Sequence, residues 1–353
     1  MKDNIIIFLL ACMGGFLFFT IHSPLPWTLG PLVITLLWKT LRKKSVPWPK
    51  SIRNTGLVFL GYAMGSPFSI QVGHQILGQL PGMLMATFIT MAISLLAGWF
   101  TSHRTGVGII NGLIGSIPGG LSQMAVICEE IEGTDIAVVT LMQITRVLTV
   151  VLIVPMLAIY GLSNHSTPIP LFAATSSLDF TAFFPFVIIC ILSPRLAKLL
   201  NVPTPYLMGP VLGTIALIID GYDAPHLPQY LTALAQIVIG IRMGADITFD
   251  GLQNWKSIVL YTFGGVVLVI SMSLAVDYAL IKFYSISFLT AFISTAPGGI
   301  TEMGLTAMTV HADVSLVIAY QLFRLLSMLI IGIPAIKWWL IKRAVRDVVE
   351  TTS

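Results

Sequence analysis

The sequence predicts an all-α polytopic membrane protein made of two tandem homologous repeats, and three observations carry that expectation. Of 353 residues, 56% are hydrophobic and only 10% are charged, against roughly 25% charged in a soluble domain. Apolar stretches close to the ~20 residues needed to span a bilayer follow one another, with short polar breaks, along nearly the whole chain. Third, one segment is written twice. PWTLGP at 26–31 returns as PYLMGP at 205–210, GYAMG at 61–65 as GIRMG at 240–244, and SIPGGLSQM at 116–124 as TAPGGITEM at 295–303. A single offset of 179 residues joins Pro26 to Pro205, Gly65 to Gly244, Pro118 to Pro297 and Pro155 to Pro334. That period far exceeds the roughly 20–50 residues of solenoid repeats, whereas whole-unit duplication is how many carriers are built.

The repeats are expected at 1–162 and 181–340, with a connecting loop at 163–180 and a basic cytoplasmic tail at 341–353. Each parses into six segments, giving about 10–12 transmembrane segments in all. The first segment, 5–21, follows Lys2 as a signal peptide would. However, IHSPLPW follows it rather than a small-residue cleavage site, and its duplicate at 183–199 lies mid-chain, so it is expected to be a retained helix. The second, 28–40 and 207–219, is short for a span and opens on Pro/Gly punctuation. The third (54–73 and 231–249) and fourth (81–101 and 257–281) are of spanning length. The fifth, 106–131 and 286–310, is interrupted at Pro-Gly-Gly, and the sixth covers 136–160 and 314–336.

Loop charges report orientation. Lys39, Arg42, Lys43, Lys44, Lys50 and Arg53 mark the loop 39–53 as cytoplasmic, while its duplicate 220–228 holds Asp220 and Asp223 and no Lys or Arg. Conversely, the loop after the first segment is uncharged apart from His22, and its duplicate carries Arg195 and Lys198. Such a swap is what two inverted copies produce. If the fifth segment is re-entrant, each copy crosses five times and Lys282 is the main basic loop residue left outside. If all six segments cross, the repeats are parallel and Arg195, Lys198 and Lys256 fall outside. The inverted arrangement leaves fewer basic residues outside and is the one expected.

The Pro-Gly-Gly breaks carry the clearest chemistry. Proline resists a helix interior but suits a first turn, and two glycines let the chain turn or let a ligand approach. Broken backbone at membrane depth is tolerated only inside protein or along a wet cavity. Half-helices starting at Pro118 and Pro297 would aim free N–H groups and partial positive charge into the membrane, with Ser116 and Thr295 placed to cap those amides. A Pro-Gly kink that merely aids packing is the plain alternative. Its occurrence twice favours a binding site at Pro118, Gly119, Gly120, Pro297, Gly298 and Gly299. Past the break the copies differ, with Gln123 in the first and Glu302 in the second. A carboxylate there can bind a cation, carry a coupled proton or pair with an arginine, or it can simply be satisfied by local N–H groups.

In the sixth segment Gln143 and Arg146 match Gln321 and Arg324 at an offset of 178. Gln and Arg three residues apart share a helical face, and ten residues of helix place Arg146 roughly 15 Å deep, near the midplane. Such arginines face the interior and meet either the carbonyl end of a broken helix or an anionic solute. Arg242 and Asp246, four residues apart, make a plausible local ion pair. Cys12, Cys128 and Cys190 have no metal-ligand spacing and read as buried small hydrophobes.

The paired PWTLGP/PYLMGP, GYAMG/GIRMG and PGGLSQM/PGGITEM elements resemble the AbrB family of bacterial inner-membrane proteins over essentially the whole chain. That family is distinct from the small DNA-binding transition-state regulators that share the name. The resemblance implies two AbrB-type repeats and a role in regulating gene expression, and an older label for members is ammonia monooxygenase. The organisation is also similar to the cation/proton antiporter and bile-acid or auxin carrier superfamily, which implies transport by fold-level analogy.

Three function classes follow. A secondary carrier at the cell membrane is favoured by duplication, broken helices and intramembrane Arg and Glu. Its solute is small, and anionic if two arginines and two positive helix ends outweigh Glu302, with a proton or cation coupled to it. A membrane-embedded sensor or regulator is the alternative. No helix-turn-helix-sized soluble module is present to read nucleic acid. A membrane monooxygenase is disfavoured, because the six histidines are scattered while such chemistry needs clustered ligands. No cofactor, resident metal or ATP-binding signature is expected.

Overall fold

A computed structural model describes residues 2–23, 25–42, 46–118, 124, 128, 131, 133–162, 180–247, 254–332 and 334–335, and every regular element among them is helical. They fall into two compact units. The first draws on Met1–Gly78, Pro155–Thr248 and Gly304–Leu316, and the second on Gln79–Val154, Phe249–Met303 and Val317–Ser353. Each unit thus takes helices from both halves of the sequence.

The first unit contains α1 (Lys2–Thr20), α2 (Pro26–Arg42), α3 (Lys50–Gly65), α4 (Ile70–Gly78), α8 (Phe180–Leu199), α9 (Pro205–Ile219) and α10 (Gln229–Asp246). Pro26 and Pro205 open α2 and α9, where a missing N–H costs nothing. Helix α1 packs on α2 as α8 packs on α9, while α2 crosses α10 and α3 crosses α9. The crossings use the duplicated motifs. A Cβ on Gly244 would stand 2.5 Å from the Leu32 carbonyl oxygen and 2.9 Å from Thr35 Cβ, and one on Gly65 would stand 2.9 Å from the Val211 carbonyl oxygen and 3.0 Å from Thr214 Cβ. Gly240 and Gly61 meet Thr28 and Leu207 in the same way. Small residues four apart let backbones approach where lipid supplies no hydrophobic drive between helices. These exchanged contacts suggest repeated elements.

The second unit contains α5 (Leu80–Thr105), α6 (Ile109–Ser116), α7 (Ile136–Met156), α11 (Trp255–Tyr284), α12 (Phe288–Thr295), the start of α13 (Ile300–Thr309) and most of α14 (Val314–Ser327). Helix α5 packs on α6 as α11 packs on α12, and α5 lies against α11.

Four helices are long and apolar enough to cross a membrane: Leu80–Thr105, Ile136–Gly161, Trp255–Tyr284 and Val314–Gly332. Asn4–Thr20 and Pro205–Ile219 are shorter apolar helices. Large apolar side chains face outward along them, including Leu96, Met272 and Phe283, the pattern of helices solvated by lipid. The chain is a multi-pass, all-α membrane protein. Arg242 and Asp246 do pair, at 2.7 Å, and Cys128 and Cys190 are buried and free, with Cys12 half-buried.

Two elements depart from the expected segments. The third segment of the first copy is not one span over 54–73, because α3 ends at Gly65 and α4 starts at Ile70. Pro67 lies between them and has no N–H to continue the helical ladder, so the helix ends there although Ser66 itself still holds helical backbone angles. The sixth segments end in π-helical turns, Leu157–Leu162 and Met328–Gly332. Glycines 119 and 120, Gln123, the connecting loop at 163–179 and the tail at 341–353 lie outside the described residues.

Candidate functional site

Helix α12 stops at Thr295 and α13 starts at Ile300, with Ala296, Pro297, Gly298 and Gly299 between. Proline offers no N–H, and the last turn of any helix leaves its carbonyls without intrahelical donors. Here side chains from α14 satisfy them. Gln321 Nε2 donates to the carbonyls of Ile293 (2.9 Å), Ser294 (3.2 Å) and Ala296 (3.2 Å). Arg324 donates to Ala296 (2.6 Å), Gly298 (2.6 Å) and, more weakly, Thr295 (3.4 Å), and also to Gln321 Oε1. The three-residue spacing of Gln321 and Arg324 sets both on one face of α14, where the guanidinium also orients the amide.

The first copy repeats the arrangement. Gln143 Nε2 donates to the carbonyls of Ile114 (3.2 Å), Gly115 (3.1 Å) and Ile117 (2.8 Å), and Arg146 donates to Ile117 (2.6 Å). Gln143 and Gln321 are 0% and 1% exposed, Arg146 and Arg324 only 6% and 5%. Charge inside a membrane is tolerated when spent on such groups, and charge-assisted bonds are worth about 1.5–3 kcal/mol each. Between the two roles the sequence left open, both arginines take that of meeting carbonyls at a helix end, Arg146 at that of α6 and Arg324 at that of α12.

At the other side of the second break, Glu302 stands in the first turn of α13. Its carboxylate folds back on Gly299, so that a Cβ on Gly299 would collide with Glu302 Oε2. A glutamate at the third helical position reaches the residue before the helix in this way and offsets the positive helix end. The site therefore compensates its own charges, Arg on the carbonyl end and Glu on the amide end. The arginine excess that made an anionic solute attractive is already committed to main-chain carbonyls.

The expected capping by Thr295 is corrected, while the amides that Ser116 was expected to cap, at 119–123, lie outside the described residues. Ser116 Oγ donates backward to Leu113 O (2.9 Å), and Thr295 Oγ1 donates to Asp277 Oδ1 (2.6 Å). Each residue ends its helix with the chain turning extended just beyond it, which aims the hydroxyl at the preceding turn or a neighbouring helix rather than at the next one.

Arg146 lies within the electrostatic reach of Arg324 and Glu302. A half-open cavity of about 20 Å³ is lined by Ser116 and Arg146 together with Pro297, Gly98 of α5 and Thr262 of α11. That is room for about one water. Pro118, Pro297, Gly298, Gly299, Glu302, Gln143, Arg146, Gln321 and Arg324 all belong to the second unit. Sequence reasoning passed over Asp277, which is 0% exposed on α11. The signal was available, since a carboxylate well inside an apolar 30-residue helix is a functional candidate by default. Among the described residues, no three His, Cys, Asp or Glu gather to hold a metal ion.

The family described as "Transition state regulatory protein AbrB" matches residues 5–340 of this chain. The chain is 26% identical over 345 residues to "Uncharacterized protein YhjN" of Bacillus subtilis (strain 168), covering 90% of this chain and 88% of that protein. It is also 26% identical over 330 residues to "Putative regulator AbrB" of Escherichia coli (strain K12), covering 90% of this chain and 91% of that protein.

Proposed function

The chain belongs to the AbrB family of membrane proteins, and from that membership we propose that it is a membrane-embedded regulator acting on gene expression indirectly, through a small solute bound or moved at its Pro-Gly-Gly breaks. The regulatory part rests on the family's description and on the name of the Escherichia coli relative. No enzymatic activity appears in the description or in either relative's name, and a non-enzymatic, multi-pass bacterial inner-membrane protein is the corresponding reading. Its 353 residues hold no stretch polar enough for a DNA-reading module, so the effect on transcription passes through something else. The observation that supports a solute is the matched pair of Gln–Arg clamps on the carbonyl ends of α6 and α12. Irregular backbone, kept satisfied at membrane depth, is the hallmark of carrier binding sites.

A second reading, a secondary carrier without a regulatory role, is favoured by that same geometry and by the exchanged helix contacts of the first unit. Both readings take the two copies as inverted repeats with about 10–12 crossings. Neither now needs an anionic solute, because the carbonyls hold both guanidinium groups.

Transcript profiles of a deletion strain test the proposal. The deletion is expected to change transcript levels, wild-type protein to restore them, and Glu302→Gln, present in the membrane at normal level, to fail. A deletion profile identical to the parent overturns the regulatory reading. Purified protein screened by thermal shift against organic acids, amino acids and cations then tests the carrier, since a solute that binds only the native state raises its Tm.

A further inference from the structure

The carboxylate of Asp277 is fully buried in α11, accepts one hydrogen bond from Thr295 Oγ1 at 2.6 Å, and has no partner on Oδ2 among the described residues. Packing does not explain it. In the first copy the equivalent of Asp277 is Gly98 and that of Thr295 is Ser116, at the same offset of 179. There α5 closes directly on α6, and a Cβ on Gly98 would strike the Ser116 side chain. The same helix pairing thus forms with no side chain at all, while the second copy carries a carboxylate with one oxygen unanswered. A carboxylate buried without a second partner is strongly disfavoured in its ionised form relative to water.

We propose that Asp277 is a proton-binding site that couples protonation to the broken element of the second copy. The proposal rests on the solute-handling reading above for its purpose, though not for its test. Thr295 is the last residue of α12, and its carbonyl accepts from Arg324. In the ionised state the threonine hydroxyl donates to Asp277 Oδ1. A proton arriving from water on Oδ1 reverses that bond: the acid O–H donates to Thr295 Oγ1, and the threonine hydroxyl turns to Phe292 O, already 3.3 Å away. One proton is taken up, none is displaced, and the end of α12 exchanges one hydrogen-bond pattern for another.

The surroundings favour a proton over a metal cation. Thr295 presents a donor hydrogen to the carboxylate, whereas a hard cation needs several converging oxygens. Helix α5, packed on α11, has His103 and Arg104 only in its last turn, and α12, FLTAFIST, holds no titratable residue. On α14, Tyr320 is within electrostatic reach of Asp277 and donates to Gln79 Oε1 at 3.0 Å, while Arg324 serves carbonyls.

The test is infrared difference spectroscopy of the full-length protein in phosphatidylethanolamine/phosphatidylglycerol vesicles, titrated from acidic to alkaline pH in choline chloride without added solute. Subtracting the Asp277→Asn titration from that of the wild type is expected to leave one component of the protonated-carboxylic-acid carbonyl band, and Glu302→Gln is expected to retain that component. Should Asp277→Asn fail to fold, Thr295→Val serves instead, since loss of the donor must move the band's midpoint. Acid bands identical in the wild type and Asp277→Asn, or an Asp277 component whose midpoint is unmoved in Thr295→Val, would overturn the proposal. A midpoint that depends on sodium replacing choline would overturn it in favour of an alkali-cation site. Because the readout needs no solute, failure of the regulator or carrier reading leaves a distinct signature, a titrating band with no ligand-induced thermal shift.

Discussion

Four side chains decide the chemistry of the interrupted helices. Gln143 and Gln321 each serve three carbonyls from one amide nitrogen, a geometry no apolar residue reproduces. Replacing Gln321 with Leu leaves Ile293 O and Ser294 O without their donor, while Ala296 O keeps Arg324. The expected loss is about 1–3 kcal/mol for each carbonyl left unsatisfied. Gln143→Leu leaves Ile114 O and Gly115 O in the same position, while Ile117 O keeps Arg146. The two variants should therefore lose similar stability, measured as the shift in unfolding midpoint in detergent. A much larger effect in one copy would show that the two clamps are not mechanically equivalent. Arg324→Gln leaves Gly298 O, the weakly held Thr295 O and Gln321 Oε1 without this donor, while Ala296 O keeps Gln321, and is expected to lower stability at least as much as Gln321→Leu does. An Arg324→Gln protein of unchanged stability would contradict the structural role given to the guanidinium.

Among the elements, the crossings of the first unit are set by glycine. With a Cβ on Gly244 only 2.5 Å from a main-chain oxygen of α2, Gly244→Ala must push α10 off α2, at a cost of about 1–3 kcal/mol for overpacking. Gly264 in α11 has nothing within 4 Å of its added Cβ. There alanine relieves the helix of a residue that costs it roughly 0.5–1 kcal/mol. Thermal unfolding of the two variants should move in opposite directions, and equal shifts would mean that the close approach is not what glycine provides at 244.

For the whole molecule, the outstanding matter is the sense of the repeats. Inverted copies place 39–53 in the cytoplasm and 220–228 outside, as expected from the six basic residues of the first and the lack of Lys and Arg in the second. Single cysteines introduced into each loop of a cysteine-free protein should react with an impermeant thiol reagent from opposite sides. Labelling from the same side would make the repeats parallel and remove the symmetry on which a carrier-like site depends. The native cysteines at 12, 128 and 190 must be replaced first for that measurement to be clean.

By itself the sequence determined the solvent, the class and the punctuation. Composition fixed a membrane protein because charge at 10% cannot coat a soluble surface. The twice-written motifs marked where α2 and α9 begin and where α12 gives way to α13, because proline and glycine act on their own backbone. Pairing Gln with Arg at three-residue spacing placed both on one face before any contact was known. Partnership was decided only by tertiary structure. Nothing in GYAMG says that its glycines meet α9, the helix that PYLMGP opens, since that contact joins residues far apart in sequence. Equally, Arg324 chose carbonyls over solute only once α14 was brought to the end of α12. Asp277 found Thr295 for the same reason. A helix face shows what a side chain can reach, while the packing of helices fixes which donor or acceptor is there to be reached.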